Sequence, residues 1–381
     1  INATIPASGG STGPGIQGQN TFPGVTFAGL YVENVNNTNI TSNNITLVRG
    51  SSVSNITGIH IIAPFENNTV NHNLLQDIRG STTSARAYGI LFGDCNYVTQ
   101  LTGTSYKNNL FDHNNITNLT CTGDCASSSY AVLNLDGLAN FIDNNFTYNR
   151  IDLFNDNKSN SDPAVIFIGS RAPPEGNPSP TEGISRNVIA YNTIRDVSFR
   201  TGASQNTAYV IHLGAKIDII HNNSINNNWL YNVSAYNNVN NLIGISSDIN
   251  NGVDYVFNNI TFNNLSHFFA YDSVGGISGI RFGTTSQGHD PNEFRTTLIA
   301  KNNITDFNHS GTSIAISTGI MLGDFYQSNN PTTQVGVRDV DVLNNTITNI
   351  TCNPLDSTCS TLNGGLGILH SYVNQTRIHD N

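Results

Sequence analysis

The stretch NNITNLT at residues 114–120 decides the fold of this chain, because the same pattern returns along almost the whole sequence. Residues 344–351 read NNTITNIT, and similar Asn-led segments recur at intervals of roughly 36 to 44 residues, a period typical of repeat architectures. The segments open at Asn67, Asn108, Asn144, Asn187, Asn222, Asn258, Asn302 and Asn344.

Three short apolar segments follow each opening in a fixed order. Ile116 and Leu119 represent the first segment, Gly89-Ile90 the second, and Phe141-Ile142 the third. Each is bounded by Asn, Gly, Asp or Ser and is rich in β-branched or aromatic residues, which predicts strands. Strands this short bury little alone, so we predict that successive repeats stack and that like strands pair in parallel.

These features predict an all-β solenoid, a parallel β-helix of about 8–9 coils with three short strands per coil. The Asn pairs are expected at one corner of each coil, where Asn tolerates the left-handed conformation and stacked Asn side chains form a ladder. Most insertions fall between the first and second strands, which predicts long loops along one edge. Residues 1–30 form an extended arm rich in Gly, Ser and Pro, and residues 31–381 form a single β-helix domain.

The phrase N-x-I-x-x-N-x-I followed by G-I-x-L-G, as in YGILFGD at residues 88–94 and TGIMLGD at residues 318–324, resembles a known family. It is similar to the repeats of the pectin-lyase-like superfamily of right-handed parallel β-helices, over residues 34 to 381. That superfamily contains polysaccharide lyases, hydrolases, tailspikes, adhesins and non-catalytic surface proteins. The resemblance therefore implies a right-handed coil and leaves the function open.

Composition excludes several classes of partner. Charged residues make up 11% of the chain and the net charge is -10, so no basic stripe is available for nucleic acid. No apolar run reaches the length of a membrane span. The segment Ile378-His379-Asp380-Asn381 matches the start of another repeat, from which we expect either further chain or a second subunit at that end.

The cysteines favour an extracellular or cell-surface location. Cys121 and Cys125 bound one turn, and Cys352 and Cys359 bound another. Neither spacing matches a zinc site, so two local disulfides are favoured. Cys95 is left either free and buried or paired between molecules.

Asn-x-Ser/Thr motifs are abundant and predict glycosylation in a host that modifies asparagine. The candidates are Asn36, Asn44, Asn67, Asn115, Asn145, Asn232, Asn303, Asn344 and Asn374.

Two sets of side chains are candidates for catalysis. Asp94 and Asp136 end the second strand on adjacent coils, at a spacing suited to a hydrolytic carboxylate pair. Because Asp324 ends an equivalent strand far along the axis, a turn role for these aspartates is the simpler alternative.

Lyases of this fold use Arg or Lys as base, with carboxylates that hold calcium.

The lyase-like set is His212 and Lys216, with Asp218, Arg200 and Asp248 as further members. Most of its members lie on different strands or loops, and period two places His212 on an outward stripe of the second strand. Such a stripe needs a loop or a neighbouring chain to cover it. Its members are Leu91, Leu133, Phe167, His212, Ser246, Arg281, Met321 and Leu369.

Three functions remain open from the sequence. The first is an extracellular structural or adhesive surface protein with no cofactor, which as a filament-forming subunit would self-associate through the ends or lateral faces of the β-helix. The second is a polysaccharide lyase or glycoside hydrolase, for which the resemblance implies possible calcium. The third is a non-catalytic spike whose Tyr and Asn side chains bind a glycan. We expect the first, a protein that is not an enzyme.

Overall fold

The structure is a computed structural model whose described part contains 38 strands and no helix, which confirms the predicted parallel β-helix. It describes residues 2–4, 26–50, 55–80, 86–92, 105–121, 133–136, 140–159, 163–170, 183–201, 206–215, 219–237, 239–249, 254–256, 258–272, 274–283, 294–295, 297–311, 316–323, 337–352, 365–371, 373–374 and 377–381. No helix long and apolar enough to cross a bilayer lies within these ranges.

All strand pairs are parallel and form three sheets of ten, ten and eighteen strands. We call the sheet of three-residue strands sheet 1. Its strands are Asn39–Thr41, Thr69–Asn71, Leu110–Asp112, Asn145–Thr147, Val188–Ala190, Ser224–Asn226, Asn259–Thr261, Leu298–Ala300, Asp341–Leu343 and Arg377–His379.

Sheet 2 follows sheet 1 within each coil and consists mostly of longer strands. Its strands are Asn2–Thr4, Asn44–Gly50, Leu74–Gly80, Asn115–Cys121, Arg150–Ser159, Thr193–Thr201, Trp229–Tyr236, Asn264–Asp272, Asn303–Gly311 and Thr346–Cys352. Asn2–Thr4 pairs with Asn44–Gly50, so part of the predicted N-terminal arm adds a strand to this sheet.

Sheet 3 carries two strand segments in most coils, so the third side of the predicted coil is divided. The first segments are Thr26–Asn36, Asn55–Glu66, Arg86–Phe92, Leu133–Asp136, Ala164–Ser170, Asn206–Ala215, Val239–Ile249, Gly276–Gly283, Ile316–Gly323 and Gly365–Ser371. The second segments are Ser105–Lys107, Asn140–Ile142, Ile184–Ser185, Ile219–His221, Asp254–Val256, Phe294–Arg295, Val337–Arg338 and Val373–Asn374.

The coil count agrees closely with the sequence, whereas the placement of the long insertions agrees only in part. Sheets 1 and 2 have ten strands each, slightly more than the eight or nine coils expected. The strand bounds place two of the longest insertions, residues 122–132 and 353–364, between sheet 2 and sheet 3, as predicted. The other insertions of ten or more residues lie between the two segments of sheet 3, at residues 93–104, 171–183, 284–293 and 324–336, so the long insertions occupy two positions of the coil and not the one edge that we expected. The first described strand after the arm begins at Thr26, so the domain boundary near residue 30 stays a prediction.

Left-handed residues five apart turn the chain three times in most coils. In one coil they are Asp143, Tyr148 and Leu153, with φ of 56°, 52° and 57°. Corner I precedes sheet 1, corner II joins sheets 1 and 2, and corner III lies within the sheet-2 strand. Asn, Asp and His are frequent at these corners because their short polar side chains tolerate this conformation.

Two ladders of buried asparagines hold successive coils together. Asn149 Nδ2 donates to Phe111 O at 2.9 Å and to Asn192 Oδ1 at 3.0 Å, and its Oδ1 accepts from Asn114 N at 3.0 Å. The ladder at corner I consists of Asn68, Asn109, Asn144, Asn187, Asn223 and Asn258. The ladder at corner II consists of Asn43, Asn73, Asn114, Asn149, Asn192, Asn228, Asn263, Asn302, Asn345 and Asn381.

The structure corrects the single Asn corner that we expected from the sequence. Asn302 and Asn345 belong to corner II. The repeat pattern of the sequence instead aligns the pairs Asn302-Asn303 and Asn344-Asn345 with corner I of the earlier coils. The alignment was wrong because a left-handed residue followed by a buried Asn occurs at both corners. Thr297 and Val340 replace Asn at corner I of the last coils, so no Asn marks corner I in the sequence of these coils.

Inward Ile, Val, Leu and Phe side chains from all three sheets fill one continuous core. The recurrent Gly of the G-I motif lies where sheet 3 approaches sheet 2. A Cβ on Gly58 would lie 2.9 Å from the Ile78 side chain and 2.7 Å from Gly89 O, so a larger residue would collide there.

Most described members of the outward stripe on sheet 3 are buried. Leu91 and Phe167 are 0% exposed and lie in small apolar clusters separate from the main core. His212, Arg281 and Met321 are at most 7% exposed, whereas Leu369 near the C-terminal end is half-buried. For these buried members, lateral packing between molecules is not needed to cover the stripe.

Candidate functional site on sheet 2

The outer face of sheet 2 carries exposed and half-buried aromatic rings on two neighbouring coils. Trp229 and Tyr231 lie 5.8 Å apart, centre to centre, and Tyr231 lies 4.8 Å from His267. At the other end of the same strands, Tyr236 stacks on Tyr271 at 4.7 Å with planes 9° apart. We call the set Trp229, Tyr231, Tyr236, His267, Phe269 and Tyr271 the aromatic belt.

A shallow concavity of about 270 Å³ lies at one end of the belt. It combines hydroxyl and amide groups with three aromatic rings. It is lined by Asp196, Val197, Ser198, Asn232, Ser234, Tyr236, Phe269 and Tyr271.

A second concavity, of about 240 Å³, adjoins the first through Ser198. It is lined by Thr120, Asn155, Asp156, Ser198 and Arg200. Together they form a groove along the solenoid axis, which we call the sheet-2 groove.

One column of side chains runs along this groove across five coils. Its members pair in register, each with its neighbour on the next coil. They are Thr120, Asn155, Ser198, Ser234 and Phe269. At about 4.8 Å per coil, the column extends over about 19 Å, the length of several sugar rings.

Arg200 places one exposed positive charge over the groove. Its guanidinium carbon lies 4.9 Å from the centre of the Tyr236 ring, a cation–π contact. Because a guanidinium carries five N–H groups and the Arg200 side chain is exposed, the groove offers a donor for an oxygen-rich ligand.

A charge network borders the belt on the side of the preceding coils. Asp152, whose side chain is only 8% exposed, accepts from Arg150 Nε at 2.5 Å and from Arg195 Nε at 2.8 Å. The hydrogen bond to Asp152 raises the pKa of Arg195 above its ordinary value. Arg195 pairs in register with Tyr231, so the network holds a cation beside the belt.

The Tyr271 hydroxyl is both a donor and an acceptor in the groove, as a neutral phenol is at neutral pH. Desolvation, with a smaller contribution from Tyr236, raises the pKa of Tyr271 above its ordinary value and so moves its ionisation further from neutral pH.

The lyase-like set is divided between two faces of the molecule. His212 is 5% exposed on sheet 3, where its ring lies 4.0 Å from Tyr209 and 5.4 Å from Phe167. Arg200 lies on sheet 2. Lys216 and Asp218 lie outside the described residues, and Asp248 is described only as part of a strand. A base role for His212 or Lys216 stays a prediction.

The described residues do not test the hydrolase-like pair. Asp136 ends the Leu133–Asp136 strand, in which Leu135 pairs with Phe92 of the preceding coil. Asp94 itself lies outside the described residues. The pair therefore stays a prediction.

The described residues do not test the predicted disulfides. Cys121 and Cys352 end sheet-2 strands at the same register position, six coils apart. Cys95, Cys125 and Cys359 lie outside the described residues, so both disulfides and the state of Cys95 stay predictions.

The structure places the described sequon asparagines away from both ladders. A ladder Asn is followed two residues later by an inward apolar residue, which excludes Ser or Thr there. Asn115 is half-buried, and the side chain of Asn374 is not described. The other candidates, Asn36, Asn44, Asn67, Asn145, Asn232, Asn303 and Asn344, are exposed.

In the described part of the chain, no group of three or more His, Cys, Asp or Glu side chains is arranged to hold a metal ion. The calcium implied by the resemblance therefore has no such cluster in those ranges. No protein-family model, curated protein or solved structure matches the chain.

The aromatic belt was not predicted from the sequence. Its signal was present, since Trp229, Tyr231 and Tyr236 occupy outward positions of one repeat and Phe269 and Tyr271 those of the next. Alignment on the corner II asparagines, Asn228 and Asn263, would have revealed it.

Proposed function

We propose that this chain is an extracellular structural and adhesive protein that binds a glycan in the sheet-2 groove without cleaving it. The observation that carries the proposal is the combination of hydroxyl, amide and aromatic groups in one concavity, at Ser198, Ser234, Tyr236 and Tyr271. Membership of the pectin-lyase-like superfamily is part of the proposal and is supported by the repeat motifs and by the parallel sheets.

The chemistry of the groove suits a sugar. A pyranose ring presents an apolar C–H face, which packs on aromatic rings, and a rim of hydroxyl groups, which hydrogen-bond to polar side chains. The concavity of about 270 Å³ lies just below the usual size of pockets that enclose a small molecule. The proposed ligand therefore lies along the groove as a chain.

The scaffold supports an adhesive role in an exposed location. The two Asn ladders and the continuous core tie each coil to the next, which favours a rigid rod that presents the groove. The disulfides predicted at Cys121 and Cys352 favour an oxidising compartment. Among the described residues, no observation favours lateral assembly, since most of the stripe on sheet 3 is buried.

The proposal is tested with protein made in a host that does not glycosylate, screened against immobilised neutral and acidic oligosaccharides. Tyr236→Ala is expected to weaken binding about tenfold, equivalent to about 1.4 kcal/mol, because it removes the ring that stacks on Tyr271. Tyr236→Phe retains the ring and is expected to bind nearly as well as the parent.

Tyr191→Ala is the matched control. Tyr191 stacks on Tyr148 at 4.8 Å on corner II, away from the groove. Equal loss in both Ala variants, or no binding by the parent protein, would refute the proposal. Cleavage products from any oligosaccharide would favour the enzymatic alternative instead.

A further inference from the structure

Asn232 lies at the edge of the sheet-2 groove and belongs to an N-glycosylation sequon, Asn232-Val233-Ser234. Val233 is 0% exposed and points into the core, so Asn232 and Ser234 both face outward. Both line the concavity that also contains Tyr236 and Tyr271. A glycan on Asn232 would therefore begin inside the proposed binding site.

The local geometry leaves the asparagine able to carry a sugar. Asn232 is exposed at a left-handed corner, with φ of 54°, and its Nδ2 donates to Asp196 Oδ1 at 2.6 Å. Glycosylation replaces only one of the two Nδ2 hydrogens, so one N–H group remains on Nδ2 as a donor. The modification is compatible with the observed backbone and hydrogen bond.

Phe269 and Tyr271 supply a surface for the attached glycan on the next coil. They line the same concavity as Asn232 and lie 6.2 Å apart, centre to centre. A sugar linked to Asn232 is already held beside these rings, so it occupies the groove at a high effective concentration. A free glycan would have to displace it.

We propose that Asn232 carries an N-linked glycan that folds over Tyr236, Phe269 and Tyr271 and so blocks the sheet-2 groove. In the modification, Asn232 Nδ2 forms a bond to C1 of the first sugar and loses one proton. The C1–O bond to a lipid diphosphate donor breaks at the same step, and the diphosphate leaves. This regulation rests on the proposed function, because the groove it closes is the proposed glycan site.

Asn349 provides a matched control within the same chain. It occupies corner III like Asn232, with φ of 53°, and its Nδ2 donates to Asp306 Oδ1 at 2.6 Å. It also opens a sequon, Asn349-Ile350-Thr351, but it does not line either concavity. A glycan there begins outside both concavities of the sheet-2 groove.

The test uses the full chain secreted from a eukaryotic host, beside Asn232→Gln and Asn349→Gln from the same host. Peptide mass mapping measures the occupancy of each sequon. Hydroxyl-radical footprinting measures the exposure of Tyr236, Phe269 and Tyr271, with Tyr148 and Tyr191 as exposed references. Titration with an oligosaccharide bound by the unglycosylated protein measures affinity.

We expect Asn232 to be occupied, the three groove rings to be protected at least threefold, and affinity to fall at least tenfold. The parent chain made in a host that does not glycosylate should show both exposed groove rings and full binding. Asn232→Gln should show the same exposed rings, whereas Asn349→Gln should change neither exposure nor binding. An unmodified Asn232, or groove rings oxidised equally in the parent and in Asn232→Gln, would overturn the inference. If the rings are protected but neither the parent chain nor any variant binds an oligosaccharide, the inference of a glycan that covers the groove is supported and the proposed glycan-binding function is refuted.

Discussion

The guanidinium carbon of Arg200 lies 4.9 Å from the centre of the Tyr236 ring, and that ring stacks on Tyr271 of the next coil at 4.7 Å. Three neighbouring coils thus place a cation and two rings in one line along the sheet-2 groove. The alignment follows from the parallel register, which pairs Arg200 with Tyr236.

Arg200→Ala is expected to weaken glycan binding about fivefold without changing stability, because the side chain is exposed. Arg200→Lys should recover part of the loss, since Lys keeps the charge but not the planar guanidinium. The measurement is a titration followed by the fluorescence of Trp229, the single Trp of the chain. Unchanged affinity in Arg200→Ala would remove Arg200 from the site.

Asn149→Ala is expected to reduce the free energy of unfolding by about 3 kcal/mol. The change leaves the buried N–H groups of Asn114 without their acceptor and interrupts the corner II ladder. Guanidinium unfolding followed by circular dichroism measures the effect. The control is Asn145→Ala, at an exposed position of the same coil, which should cost less than about 0.5 kcal/mol. Equal effects would contradict a structural role for the ladder.

Leu153→Asn is expected to stabilise the chain by about 1 kcal/mol. Leu153 is 48% exposed and has φ of 57°, a conformation that Asn adopts at lower cost than Leu. The thermal unfolding midpoint should rise, and Leu153→Val should lower it because a β-branched side chain is strained there. A lower midpoint in Leu153→Asn would show that the Leu side chain is needed for packing.

Stability should decrease as the pH falls below about 6.5, in part because of His309. This residue is 0% exposed and its Nε2 lies 2.7 Å from Val274 O. Burial lowers the pKa of His309 below its ordinary 6.5, so the unfolded chain takes up the proton first as the pH falls. The contribution of neutral His309 to stability is therefore fully present above pH 6.5 and is lost as the pH falls towards the lower pKa of the folded state.

His309→Gln keeps a donor for Val274 and removes the titration, so it should flatten the acid side of the stability curve. Denaturant midpoints measured at several pH values check this. His379→Gln, at an exposed position, is the control and should leave the curve unchanged. An identical acid loss in the parent and His309→Gln would contradict the assignment.

The fold was predictable because its signals are local and repeated. The N-x-I and G-I phrases report inward residues, and Gly58 shows why Gly is needed where sheets 2 and 3 approach each other. The second ladder was missed because Asn302 and Asn345 follow left-handed residues just as the corner I asparagines do. Corner I and corner II are distinguished by their order in the series of left-handed residues five apart, and that order becomes clear only when the strand register is known.

The site was less predictable because it depends on contacts between coils. Tyr236 and Tyr271 are 35 residues apart in the chain and meet only when the loops of variable length are removed and the coils are stacked. The period of the strand predicts that His212 lies on the outer face of sheet 3. It does not predict that other parts of the chain bury this side chain.

The most direct test of the glycan-binding proposal is a crystal structure of the unglycosylated protein with the oligosaccharide that binds it best. The proposal predicts sugar density along the sheet-2 groove, with one ring against Tyr236 and Tyr271 and hydroxyl groups within hydrogen-bond distance of Ser198 or Ser234. Sugar density confined to sheet 1, to corner II or to the loop edge, with the groove empty, would contradict it.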